Sequence, residues 1–268
     1  MRRLILNADD YAMDEDVDRA ILSLIDRRVV TAASAMVLSP RWAKAAAEIK
    51  HLNADCGLHL DLTSDFAAAK LTLPSLADLI ARSYTGSLPL AAIRDVIEAQ
   101  LDLFEHALGR PPDFVDGHQH VHQLPSVREL LVDAVHRRYG AGPARIGIRI
   151  CLARRWRGAK AQIVGALGGR ATARLARKFG HPANTDFLGV YGFSPAADLP
   201  LLWRGWLAIM QGGAPLAMCH PAAAGRSAIA DPIRSARVHE LTWLASDAFR
   251  DLCAERSVAL ERWPRGGQ

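Results

Sequence analysis

No run of about 18 apolar residues occurs in the chain, so no transmembrane helix is expected. A secretory leader is not expected either. Met1, Arg2 and Arg3 lead into only a short strand-like run, too brief for a signal-peptide core. Cysteine is scarce. Cys56, Cys151, Cys219 and Cys253 form no Cys-x-x-Cys pair and no dense framework, which argues against a disulfide scaffold and suits a reducing, cytoplasmic compartment. Internal repeats, low-complexity tracts and linker-like stretches are absent as well. Acidic residues are missing from one long segment: residues 141–178 hold no Asp or Glu, while Arg and Lys number ten. Such a segment is either a solvated helical face or a surface for phosphates, an acidic glycan or a membrane. It lacks the interleaved aromatics of a base-stacking platform, so nucleic acid is not an expected partner.

What is present is an apolar half and a charged 23 % in 268 residues, enough for one large domain spanning 1–268. Short apolar runs alternate with helical periodicity along the whole chain. Leu4–Leu6, 29–37, Asp55–Leu60, the run ending at Val115, Arg145–Ile150, Pro215–Cys219 and Val258–Leu260 read as strands. Asp14–Asp26, 41–50, Leu88–Leu108, 125–139, Lys160–Lys178, Leu199–Gln211 and Val238–Glu255 read as helices, with Gly168-Gly169 weakening the fifth. Thr63–Ser87 lacks strong periodicity and reads as a long loop of the kind that carries function. Asn184–Phe193 is ambiguous between a strand end and a binding loop. Alternation of this kind predicts an α/β fold: a parallel sheet with right-handed crossovers, closed or nearly closed into a (β/α) TIM-like barrel, a single domain with long loops on the active-site face.

Residues 113–122 are the densest point: Asp-Phe-Val-Asp-Gly-His-Gln-His-Val-His. Imidazole is the commonest biological metal ligand, and three histidines just past a strand end call for something to coordinate. Asp9 and Asp10, His59, His118 and His220 each fall at or just beyond the carboxyl end of a separate predicted strand. In a parallel barrel those ends share one face, the face that carries the active site. Asp10, His59 and His118 supply one carboxylate and two imidazoles, a set that holds a divalent ion and leaves room for water and substrate. Adjacent side chains of an extended strand diverge, so Asp9 is expected to act beside the ion, taking a proton from its water. His220, from another strand, is placed to protonate a leaving group, and Arg149 to orient Asp9 or hold developing charge. Each also has a plainer reading. Asp9 could cap a helix, His59 could be a satisfied core histidine, and His220 could belong to the turn at Pro221.

These pieces, read together, resemble the YdjC-like carbohydrate deacetylases. The matching motifs are Asn7-Ala8-Asp9-Asp10-Tyr11, Gly57-Leu58-His59-Leu60, Asp116-Gly117-His118-Gln119-His120-Val121-His122 and Met218-Cys219-His220-Pro221, in order along residues 2–262. The resemblance implies a distorted barrel, a divalent metal at Asp10, His59 and His118, Asp9 as base, His220 as acid, and hydrolysis of the N-acetyl group of an amino sugar. His120, His122, Asp116, Tyr11 and Asp186 are candidates for supporting or substrate contacts. The chain departs from the family where Ala12 replaces a usual glycine, beside the metal loop.

The expected enzyme is therefore a carbohydrate N-deacetylase acting on an N-acetylated sugar or glycoconjugate. The rivals are another metallohydrolase cutting a different amide or a phosphoester, an iron oxygenase, and a non-catalytic sugar-binding protein. Zinc and magnesium head the expected ions, with nickel and cobalt open. The basic 145–178 segment is expected to touch a lipid-linked or anionic glycan at the periphery. A homodimer is the commonest small assembly, though the sequence pattern selects none.

Overall fold

The computed structural model describes residues 1–68, 75–140, 145–225, 227 and 229–264. Parts of two sequence expectations, the 63–87 loop and the 141–178 segment, lie outside the described residues. The strands are β1 (Arg2–Tyr11), β2 (Ala32–Ala35), β3 (Asp55–Leu60), β4 (Phe114–Gly117), β5 (Gly147–Ile148), β6 (Asp186–Leu188), β7 (Pro215–Cys219) and β8 (Val258–Leu260). They form one parallel sheet in the order β5-β4-β3-β2-β1-β7-β6, with β8 paired to the start of β1. The curled sheet nearly closes on itself. Ile148 of β5 makes a lone parallel bridge to Ala183, just before β6. Asn184 then continues the pairing with its side chain: Oδ1 accepts from the Ile150 N–H at 2.7 Å and Nδ2 donates to the Ile150 carbonyl at 2.9 Å.

The helices are α1 (Glu15–Asp26), α2 (Trp42–Ile49), α3 (Asp65–Ala68), α4 (Leu76–Thr85), α5 (Leu90–Leu108), α6 (Val127–Tyr139), α7 (Ala159–Ala166), α8 (Gly169–Lys178), α9 (Leu199–Ile209), α10 (Arg234–Leu244) and α11 (Asp247–Glu255). Most of their buried apolar residues join the core on the sheet's outer face, while Ala161 and Val164 of α7 join the interior cluster. In α1, capped by the Asp14 carboxylate on the Asp16 N–H, Val17, Ala20, Ile21, Leu24 and Ile25 are buried at helical spacing. No helix among the described residues is long and apolar enough to cross a membrane.

Three expectations are corrected. Thr63–Ser87 is not a bare loop, because it contains α3 and α4; a serine cap at Ser75 and a left-handed Gly86 close α4 where its short periodicity is easily missed. Lys160–Lys178 is two helices, broken at Gly168. Val238–Glu255 is also two, because Ser246 caps α11 on the Phe249 N–H and starts a new helix.

Strand periodicity positions the site. One parity of each strand joins the outer core: Leu4, Leu6 and Ala8 on β1, Ala33 and Ala35 on β2, Leu58 on β3 and Val115 on β4. The other parity faces inward. Ile5, Ala32, Phe114, Phe187, Leu216 and Met218 belong to a second apolar cluster that fills the lower interior. Gly57 is there because a Cβ would lie 2.4 Å from the Phe114 ring. Two and four residues further along the same parity stand Asn7, Asp9, Ser34, His59, Asp116, Arg149 and His220. The interior therefore changes from apolar to polar toward the carboxyl ends of the strands.

Candidate active site

Asp9 is buried and held by Arg149 in a two-pronged ion pair, Nη1 to Oδ1 at 2.6 Å and Nη2 to Oδ2 at 2.9 Å. Asn7 Nδ2 donates to the same Oδ1 at 2.7 Å. Arg149 is fully buried, and its Nη1 also lies 3.1 Å from Asp116 Oδ2. Burial alone would raise the Asp9 pKa. Arg149, then His59 and His220, outweigh it and hold the carboxyl well below its usual range.

Asp10 follows Asp9 directly, and strict alternation would aim it at the opposite face. The pairing of β1 with β2 shifts register between Ala8 and Tyr11, and Asp10 takes a positive φ of 68°. This bulge turns its carboxylate back to the mouth. Asp10 Oδ1 lies 3.3 Å from His59 Nε2 and 3.0 Å from His118 Nδ1. Oδ2 accepts from Arg237 Nη2 at 2.6 Å. The other His59 nitrogen, Nδ1, is 2.6 Å from Asp116 Oδ1, and Ser34 Oγ donates to Asp116 Oδ2 at 2.5 Å. An imidazole held by a carboxylate on one nitrogen, with the other turned toward a neighbouring donor across the mouth, has the usual geometry of a metal-binding histidine.

Asp10, His59 and His118 thus turn one carboxylate oxygen and two imidazole nitrogens toward one point, all within 4.8 Å of one another. This donor set fits a divalent ion. A second group, Asp9, His59 and Asp116, meets the same distance test. It suits a cation less well, because the Arg149 guanidinium already sits against both of its carboxylates. Burial would lower the His59 imidazolium pKa, but Asp116, Asp10 and Asp9 raise it to about 10. The three carboxylates around His59 therefore favour positive charge at that position.

His220 Nε2 is 3.8 Å from Asp9 Oδ2, and its Nδ1 is buried without a partner. Its backbone N–H donates to Glu240 Oε2 at 2.5 Å, and its ring meets the edge of Phe193 with centroids 5.0 Å apart. Burial, against the pull of Asp9 and Asp10, lowers its pKa to about 4, so it is neutral near pH 7.

The supporting candidates divide. Asp116 joins the cluster directly. His122 lies just behind it, with Nε2 donating to the Arg149 carbonyl at 3.0 Å. His120 flanks the mouth, with Nδ1 3.5 Å from Cys151 Sγ and its ring edge-on to Phe187. Tyr11 and Asp186 do not join the cluster. The Tyr11 hydroxyl donates to the Ala45 carbonyl on α2. Asp186 opens β6 at the far end of the strands and pairs with Arg157 at 2.6 Å. Arg237 and Glu240 are the additions that sequence reading missed. Both sit on α10, where nothing in the local pattern sets them apart from solvent-facing charges. Asn7 and Ser34 were findable, since they share the inward parity of their strands.

The fold and the site define a class: a curled parallel α/β sheet with an aspartate–histidine cluster, able to hold a cation, at the carboxyl ends of its strands. The chain belongs to the YdjC-like protein family, whose model matches residues 3–255. It is 30 % identical over 164 residues to the carbohydrate deacetylase of Mus musculus, covering 56 % of this chain and 53 % of that protein. It is 32 % identical over 137 residues to the chitooligosaccharide deacetylase of Yersinia pestis (strain Pestoides F), covering 48 % of this chain and 53 % of that protein. These alignments span about half the length of the curated relatives it matches. A crystal structure from Enterococcus faecalis V583, a protein provisionally named for cellobiose-phosphate cleavage, superposes over 97 % of both chains with a TM-score of 0.71 at 22 % identity, a likeness of fold.

Proposed function

We propose that the chain, read as one catalytic domain, is a carbohydrate N-deacetylase: a hydrolase that removes an N-acetyl group from an amino sugar or glycoconjugate and releases acetate. The names of the mouse and Yersinia relatives support this substrate class. The observation that carries it is the division of labour between adjacent carboxylates. Asp10 is turned toward His59 and His118, while Asp9 is clamped by Arg149 beside His220.

Asp10, His59 and His118 would hold a divalent ion, with zinc and magnesium as the leading candidates. Such an ion lowers the pKa of a water and polarises an acyl oxygen. The chain's own groups then manage the protons. Asp9 is kept ionised by Arg149 and can accept the proton of an attacking water. By itself it is a weak base, so a water already made acidic is what it requires. His220 rests neutral and must be protonated before it can act as an acid. Asp9, 3.8 Å away, is the nearest source. The protonated imidazole would pass that proton to the departing amine. Arg149 holds Asp9 in one orientation throughout, and Arg237 does the same for Asp10.

Acetate release from N-acetylglucosamine oligomers with an added divalent ion tests the reading. Wild type should release acetate. Asp9→Asn should lower kcat by roughly 10²- to 10⁴-fold, and Asp10→Ala and His118→Ala should abolish turnover. Release unchanged in these variants, or hydrolysis of phosphate esters in preference to acetylated sugars, would replace this assignment with another metallohydrolase activity.

A further inference from the structure

The acid-free segment is sorted by the fold into spent and unspent cations. Arg149 and Arg157 are consumed in buried ion pairs with Asp9 and Asp186. Arg145 and Arg154 donate to the carbonyls of Gly180 and Thr185. Lys160 and Lys178 lie over the rings of Phe193 and Phe179. Arg170, Arg174 and Arg177 on α8 are exposed and have no ion-pair partner among the described residues; Arg170 and Arg174 lie one turn apart. Like charges at that spacing oppose the helix unless something neutralises them.

Both arginines line a cavity of about 520 Å³, within the usual range of about 300–1,000 Å³ for small-molecule sites. Arg128 of α6 lines it too, donating Nη1 to the Gln123 carbonyl and Nε to Glu129. Gln162 adds a neutral polar side chain, and no carboxylate is among the lining residues. The start of α8 opens on the same cavity at Gly168, Arg170 and Ala171. Its cap is Gly168, which offers no side-chain acceptor, and its first turn has no acid. The first-turn N–H groups therefore lack the usual capping acceptor. Gly168 has φ +143°, and a Cβ there would fall 1.9 Å from the Gln123 carbonyl oxygen. Only glycine lets α8 start this close to Gln123, the last residue of the turn that carries His118.

We propose that this cavity binds a phosphate-type oxyanion, either free or carried by a small ligand such as a phosphorylated sugar. Arg170 and Arg174 supply the charge, Arg128 and Gln162 add donors, and the α8 N-terminus faces the anion. Guanidinium forks match the oxygens of such a group in pairs, and an uncapped helix start favours negative charge. A concave site suits a small anion better than a flat membrane. Because the site is read by binding, its outcome is separate from that of the deacetylase reading.

The test is calorimetric titration at low salt with inorganic phosphate, with glucose 6-phosphate, which has no acetamido group to occupy the deacetylase site, and with vesicles containing an anionic phospholipid. Wild type should bind at least one of the two small phosphates saturably. The double variant Arg170→Gln/Arg174→Gln should bind it at least tenfold more weakly. Tighter binding of the sugar phosphate identifies a ligand-borne anion, and equal binding identifies a free-ion site. Phosphate should also raise the Tm of wild type and leave that of the double variant unmoved, a check that both are folded. Acetate release from neutral N-acetylglucosamine oligomers should agree within twofold between the two proteins. No saturable binding of either small phosphate, equal binding by the double variant, or binding of vesicles alone would overturn the proposal.

Discussion

At the residue scale, the site is a set of buried charges that survive because each is partnered. Arg149 lies between Asp9 and Asp116, and Arg237 bridges Asp10 and Asp231. Glu240 is the exception worth testing. It accepts from the His220 N–H and the Tyr191 hydroxyl, yet burial, with a further push from Asp9, raises its pKa from 4.5 to about 7. Between those pH values the folded chain holds a proton that the unfolded chain has released. Its contribution to stability is therefore full below pH 4.5 and falls as pH rises toward 7, by about 3 kcal/mol at most. Glu240→Gln removes this dependence. Urea unfolding across that window should show wild type losing stability relative to the variant as pH rises, and parallel profiles would count against the assignment.

At the element scale, small irregularities do what regular strands and helices cannot. The bulge at the end of β1 lets neighbouring aspartates serve one mouth. The turn from His118 to Gln123 has Gln119 and His120 at positive φ, which carries the chain sharply from β4 toward α6. Ala12 also sits at φ 72°, the conformation for which the family's usual glycine is suited. Asn184 replaces a missing stretch of sheet between β5 and the run into β6. Asn184→Ala leaves the Ile150 N–H and carbonyl unpaired and should cost roughly 2–3 kcal/mol. Equilibrium urea unfolding measures it. A loss below about 0.5 kcal/mol would mean that water substitutes freely for the amide.

At the scale of the whole molecule, polar side chains from several distant segments meet at the carboxyl ends of the strands. A cation held at that junction would tie β1, β3 and the turn after β4 together. Zinc at a hundred times its dissociation constant should stabilise the fold by about 2.7 kcal/mol, a Tm rise of several degrees for a chain of this size. Asp10→Asn should remove most of that rise, and chelator should reverse it in wild type. An equal rise in the variant would place the ion elsewhere.

Much of this was legible in the linear chain. The alternation of strands and helices, and the placing of Asp9, Asp10, His59, His118 and His220 at or just beyond the carboxyl ends of four strands, follow from local periodicity. Local periodicity is written in neighbouring residues, so a reader of the sequence can see it. The Gly168-Gly169 pair already marks the weak point of the 160–178 helix, whereas the break at Ser246 and the helices inside 63–87 were less legible because a short helix offers few turns to count. Three features depended on tertiary structure alone. A register shift aims Asp10, packing of α10 on the mouth recruits Arg237 and Glu240, and close approach of α8 to Gln123 shapes an arginine-lined cavity. Each is a contact between residues far apart in the chain, and no local pattern encodes which distant partner a charged side chain will meet.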